Sequence, residues 1–250
     1  MVTFPHCETN ITLACQNRCV SCNHFIPVQD PWFVKPADFE RDMNMAAKVM
    51  HFQVYNPLGG EPTLHPQLMD LLDILIGSGI TNEIEMTSNG QGYKRLPDAF
   101  FQKVDCLEIT PYKLTEEDRA YITRKCEDNG THLKWHNLVF TYAAQKENHS
   151  QEYLRAIWDR CWYRRFRVVI DDGYFHRCCI GRFTPSLLMG VDKNHDAIAL
   201  DGLTESALMD YMTTTEIPVG CFRCNANNYG AVFPWREQPD RAEWWKESLG

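Results

Sequence analysis

From residue 8 to residue 137 the chain alternates short, strand-like stretches with longer ones whose apolar residues recur at helical spacing. Residues 8–14 (ETNITLA), 51–57 (HFQVYNP), 82–87 (NEIEMT), the CLEITPY stretch from 106 and 132–137 (HLKWHN) read as strands. The first helix, over 36–50, puts Phe39, Met43, Ala46 and Met50 on one face and opens with Pro36, which suits a first turn. A second opens at Pro66 and stops at Gly77 and Gly79, and a third lies near 97–104. Thr115 and Asp118 are spaced to cap a fourth that runs to about 128 and ends at Gly130. Strands joined through helices of this length lie parallel in βαβ units, which predicts an α/β fold. Sites in such folds form from loops at the carboxyl ends of the strands. Residues 15–25, 59–62 and 88–90 occupy the first three of those loops.

The pattern changes after about 140. A polar stretch, AAQKENHSQE, precedes a helix ending near Cys161, and FRVVIDDGYFHRC reads as a hairpin with Asp172-Gly173 at its turn. A helix near 202–213 leads to Cys221-x-x-Cys224 and a tail containing Trp and Pro. The chain therefore divides into residues 1–145 and a smaller unit, 146–250.

Eleven cysteines mean disulfides in a secreted protein and metal or redox chemistry in a reducing compartment. The opening MVTFPHCETN has neither a basic n-region nor an apolar h-region, so no signal peptide and a cytoplasmic location are expected. No apolar run approaches the roughly 18–20 residues of a membrane span. The net charge of −8 argues against nucleic acid as a partner. Cys15, Cys19 and Cys22 form one group, and Cys161, Cys178, Cys179, Cys221 and Cys224 a second, whereas Cys7, Cys106 and Cys126 stand alone. Two groups far apart point to two metal sites. Four thiolates close the shell of a structural zinc or an ordinary iron–sulfur cluster; three leave one metal corner free. For the first group the alternative is a zinc ion completed by His24 or by a distant cysteine.

The triad Cys15, Cys19 and Cys22, then Gly59, Gly60, Glu61 and Pro62, then Thr87, Ser88, Asn89 and Gly90 follow one another over roughly residues 8–137. In kind and order they resemble the radical S-adenosylmethionine (SAM) superfamily. The resemblance implies a partial, TIM-like (βα) barrel of five to six parallel strands. It implies a [4Fe–4S] cluster with three irons bound by the triad and the fourth left to chelate SAM. One electron then cleaves SAM to methionine and a 5′-deoxyadenosyl radical that abstracts hydrogen from a substrate, and a flavodoxin-like reductant is the expected donor. On this resemblance the backbone of 59–61 and the Glu61 side chain hold the methionine ammonium group, with glycines permitting close approach. Ser88, Asn89 and Thr110 are candidates for ribose or methionine contacts. The residue before the third cysteine is often aromatic in the family and contacts adenine; here it is Ser21, and His24 or Phe25 is expected to take over.

Cys161, one hairpin cysteine, Cys221 and Cys224 supply four thiolates, a full shell for a second [4Fe–4S] cluster or for zinc. Their order resembles the hairpin-plus-helix "twitch" extension of SPASM-type radical enzymes, which place a cysteine five residues after the turn glycine. Counting from Gly173 selects Cys178. Cys179 is then spare, either an inert packed thiol or a hydrogen donor to a substrate radical, as epimerisation requires. Arg160, Arg164, Arg165 and Arg167 surround the first of these ligands. They are placed to favour a reduced cluster, to grip a phosphate or carboxylate, or simply to be solvated. His132, His136 and His176 are assigned no role. The expected function is hydrogen abstraction from a small polar substrate: a sugar, aminocyclitol or nucleoside, with or without an anionic group. The second cluster would assist oxidation or sulfur insertion, as in natural-product biosynthesis. Epimerisation, maturation of a ribosomally made peptide and a non-enzymatic metal-binding adaptor are the alternatives.

Overall fold

The computed structural model describes residues 1–225 and 232–249. Strands β1 (Val2–Thr12), β2 (Met50–Gly59), β3 (Thr81–Ser88), β4 (Cys106–Ile109) and β5 (His132–Trp135) alternate with helices α1 (Pro36–Ala46), α2 (Leu68–Ser78), α3 (Asp98–Lys103) and α4 (Glu116–Asn129). Each of these strands pairs in parallel with the one before it. The chain then leaves the sheet through β6 (Val139–Thr141), α5 (Gln151–Arg160) and α6 (Trp162–Phe166). It returns as β7 (Arg167–Asp171), parallel to β1 on the side away from β2, which makes six parallel strands. β8 (Tyr174–His176) and β9 (Ile198–Ala199) extend that edge antiparallel, giving the order β5-β4-β3-β2-β1-β7-β8-β9. α7 (Thr184–Met189), α8 (Glu205–Thr213), β10 (Val232–Pro234) and α9 (Arg241–Ser248) complete the chain, with β10 antiparallel to β6. The sheet is a partial TIM-like barrel.

Local chemistry explains most boundaries. Thr115 and Asp118 form both bonds of a capping box, and Gly79 and Gly130 end α2 and α4 in the left-handed conformation. Asp172 and Gly173 both have positive φ, 52° and 79°, as a two-residue turn with the twist of its flanking strands demands. α1 stops at Ala46, short of the expected residue 50, because Met50 is already paired with Val2. Helix α2 starts at Leu68 and not at Pro66. β1 begins earlier than expected and ends at Thr12, whose hydroxyl accepts a bond from the Ala14 N–H at 2.9 Å and turns the chain out of the sheet.

The two faces of β1 differ in kind. Cys7 and Ile11 face the outer helices and join one core with Phe39 and Met43 of α1, Leu71 and Leu72 of α2 and Leu208 of α8. Lone Cys126 packs there too, as a small apolar residue. His6, Glu8 and Asn10 alternate with that set and meet polar partners across the sheet. Deeper in the barrel His6 and Lys134 meet Glu85, while Lys134 and His136 meet Glu108. Among the described residues no helix is long and apolar enough to cross a membrane.

Candidate active site

Beyond Thr12 the chain forms a loop that brings Cys15, Cys19 and Cys22 to one cavity of about 340 Å³ at the carboxyl ends of the strands. Turns shape the loop: Cys22 N–H donates to Cys19 O at 3.3 Å, Phe25 N–H to Cys22 O at 2.9 Å, and Ser21 and Phe25 have φ of 58° and 55°. Burial, with neighbouring thiols adding to it, pushes Cys15 and Cys19 each up to about 12, and burial raises Cys22. Thiols in that condition ionise only beside a strong cation, so three facing one cavity fit a metal cluster that deprotonates them.

The second and third loops close round the same space: Gly59, Gly60, Ser88 and Asn89 line it, and Thr110 follows β4. The glycines serve a purpose the sequence reading assigned to ligand approach. A Cβ on Gly59 would lie 2.0 Å from Thr12 O, and one on Gly60 2.1 Å from Ala14 O. Both glycines are therefore required by the cysteine loop itself, which receives Gly60 N–H on Thr12 O and Glu61 N–H on Ala14 O, each at 2.8 Å. Glu61 is fully buried behind the cavity wall. Its carboxylate accepts from Thr63 N–H (3.1 Å), Thr63 Oγ1 (2.7 Å), Ser88 Oγ (2.8 Å) and Asn89 N–H (2.8 Å), tying the second loop to the third. Burial raises its pKa against the pull of those donors. Glu61 thus brackets the two loops, and neither it nor Pro62 is among the residues lining the cavity. Of the two residues expected near adenine, His24 lines the cavity and bonds Asn10 through Nδ1 at 2.9 Å. Phe25 points elsewhere, into a cluster with Phe183 and Trp244.

Part of the remaining wall is polar. Arg167 Nη1 lies 2.6 Å from Glu8 Oε1, and Tyr163 and Cys179 stand beside the pair. Cys179 is held protonated, its pKa raised by its bond with Cys178, by burial and by the charge of Glu8.

Cys161, Cys178, Cys221 and Cys224 line a second cavity of about 40 Å³, so adjacent Cys178 and Cys179 serve different cavities. Gly220 packs on Gly181, where a Cβ would come within 2.7 Å of the Gly181 carbonyl. Asp196 accepts from the N–H groups of Val219 (3.0 Å) and Gly220 (2.7 Å) and so fixes the approach to Cys221. Arg164 borders this cavity, stacked 3.9 Å above Trp158, whereas Arg167 faces the first cavity and Arg160 is exposed. The Arg165 side chain lies outside the described residues. His176 lines the second cavity, and burial holds its pKa well below the usual range. Among the described residues no three His, Cys, Asp or Glu side chains converge on a single-ion site.

Neither a protein-family profile nor a curated protein matches the sequence. Solved structures do. BtrN in complex with AdoMet and 2-DOIA is 14% identical and superposes with a TM-score of 0.55 over 95% of this chain and 96% of that one. Native anSMEcpe with bound AdoMet is 8% identical, with a TM-score of 0.54 over 99% of this chain and 96% of that one. This chain shares the fold of both, a partial TIM-like barrel.

Within this fold, several residues at or beside the cavity carry no motif in the sequence. Tyr112 and Phe140 line the wall with rings stacked at 5.8 Å, and Trp235 lies 5.1 Å from Tyr112. Trp235 Nε1–H also donates to Cys19 Sγ at 3.1 Å. Ser21 takes the place of an aromatic residue because it is a hub: its hydroxyl donates to Thr141 O (3.0 Å) and accepts from Ala143 N–H (2.9 Å). Glu8 was visible in principle, since His6, Glu8, Asn10 and Thr12 alternate with Cys7, Thr9 and Ile11.

Proposed function

We propose that this chain is a radical SAM enzyme acting on a compact polar substrate. The observation that carries this reading is the meeting of three thiols with the loops after the second, third and fourth strands around one open cavity. Cys15, Cys19 and Cys22 would hold a [4Fe–4S] cluster with one iron uncovered, while Gly59, Gly60, Ser88, Asn89 and Thr110 border the space for SAM. When bound, the cluster and SAM supply reductive SAM cleavage and hydrogen abstraction, with a flavodoxin-like protein as electron source. The protein's own part is placement and shelter. Glu61 locks the loops, Tyr112 and Phe140 wall off solvent, and Glu8 and Arg167 present polar groups to a substrate.

Cys161, Cys178, Cys221 and Cys224 would hold a second [4Fe–4S] cluster in a twitch-like position, since all four line one cavity. Bound there, such a cluster would supply an acceptor for the second electron of a two-electron substrate oxidation. Epimerisation is the second reading, and it rests on Cys179, whose protonated thiol faces the first cavity. Anaerobic reconstitution with iron and sulfide, followed by dithionite and SAM, tests the proposal. The expected result is about eight irons per chain and release of 5′-deoxyadenosine. Zinc in place of iron, with SAM left intact, would refute it.

A further inference from the structure

Glu8 lies four residues before the end of β1, about 13 Å deeper along the strand than the cysteine loop. Its neighbour in the sheet is β7, where His6 pairs with Arg167 and Glu8 with Val169. The Glu8 side chain is 2% exposed; Arg167 Nη1 lies 2.6 Å from its Oε1, and the Cys179 thiol also bonds the carboxylate. Oε2 of Glu8 and Nε of Arg167 are both buried without a hydrogen-bond partner. Buried polar atoms are ordinarily paired, so two orphans on one ion pair at a cavity wall mark a place for a ligand.

The chemistry of that ligand follows from what the orphans lack. Glu8 Oε2 needs a donor, and Arg167 Nε–H needs an acceptor. A hydroxyl supplies both, and an amine supplies the donor with charge added. Among the described residues lining the cavity, Arg167 is the one arginine or lysine, and Glu8 already neutralises it. A phosphate or carboxylate would meet no surplus cation there and would crowd the Glu8 carboxylate.

Resting on the radical SAM reading, we infer that the substrate is a polyol or amino-polyol without phosphate or carboxylate, gripped at neighbouring substituents by Glu8 and Arg167. This narrows the substrates left open by the sequence to the non-anionic ones. It also makes Glu8 and Arg167 the residues that select them.

Calorimetry on the anaerobically reconstituted, SAM-loaded protein tests this with glucosamine, glucose and glucosamine 6-phosphate as probes. Glucosamine and glucose should bind, the phosphate about tenfold or more weakly, and Glu8→Gln should weaken glucosamine by about tenfold with iron per chain unchanged. A Glu8→Gln/Arg167→Gln double variant removes both buried charges together and guards against misfolding of the single variant; it should lose the same binding. Tightest binding of the phosphate, no binding of glucosamine or glucose, or wild-type affinity in the double variant would overturn the inference. Binding is read whether or not SAM is cleaved. Absence of 5′-deoxyadenosine would therefore defeat the radical SAM reading and leave the binding result standing.

Discussion

Around Cys15, Cys19 and Cys22 there is a cavity of about 340 Å³; around Cys161, Cys178, Cys221 and Cys224 there is one of about 40 Å³. The first is assembled from loops of four different strands, braced by one buried carboxylate that receives donors from the second and third. The second is made where Gly220 sits on Gly181, with backbone against backbone and little space between. Thiol count and free volume thus change together. Where a fourth thiol is present the protein closes down on the sulfurs, and where it is missing the walls stand back. On the proposed reading, the room beside the ligands separates a reactive metal site from an electron-carrying one as much as their number does.

The largest effect that could break this contrast comes from the ligands. Cys15→Ala should abolish 5′-deoxyadenosine formation and remove about four irons, whereas Cys221→Ala should remove about four irons and keep some SAM cleavage. Equal loss of cleavage in both would erase the difference between the cavities. The glycine contacts come next. Gly60→Ala would drive a Cβ to 2.1 Å from a backbone oxygen, and Gly220→Ala to 2.7 Å. Each should lower stability by about 2–3 kcal/mol in denaturant titration, with the greater loss at Gly60.

Adjacent thiols sharpen the contrast further. Cys178→Ser should lower the iron count, while Cys179→Ser should leave it unchanged and alter the product formed in D₂O. Trp235→Phe removes one N–H donor from Cys19 Sγ. A hydrogen bond of about 1 kcal/mol is roughly 40 mV for one electron, so the first cluster's potential should fall by about that much in an EPR-monitored titration.

The smallest effect lies outside both cavities. Hydrogen bonding from His136, opposed by burial and joined by Lys134, holds Glu108 down to about 2. A carboxyl whose folded pKa is depressed contributes stability above its unfolded value near 4.5 and loses it as pH falls toward 2. Allowing for partial exposure, the gap between wild type and Glu108→Gln should be about 1 kcal/mol at pH 6 and close below pH 4.5, with iron content untouched.

How much of this was legible beforehand depended on the range of the interactions. α4 could be read from its capping box and the β7–β8 turn from Asp172-Gly173, because both are decided by residues next to each other. The cysteine triad was legible for the same reason. Glu61 was legible as a motif residue, but its tie to the third loop was not, since two of its four donors, Ser88 Oγ and Asn89 N–H, come from a loop whose approach only the packed sheet defines. Phe25 was a plausible wall residue by position, but a left-handed turn aims it into the core. β6 and β10 are three residues each and pair across a long gap in the sequence, so neither carried a periodic signal of its own. Arg167 could be placed near a metal ligand but not opposite Glu8, a neighbour that exists only once β7 has docked on β1.

The cysteine loop is held in place by residues far downstream. Trp235 bonds Cys19 Sγ, Trp244 bonds Cys19 O, and Ser248 receives Ser21 N–H, contacts that span 216, 225 and 227 positions of the chain. A nascent chain whose first hundred residues had emerged from the ribosome would present those three sulfurs without their clasp. Closure of the cysteine loop is thereby postponed until synthesis has passed Ser248, and a degradation event that clips the final helix would loosen that loop before it cost the barrel its shape.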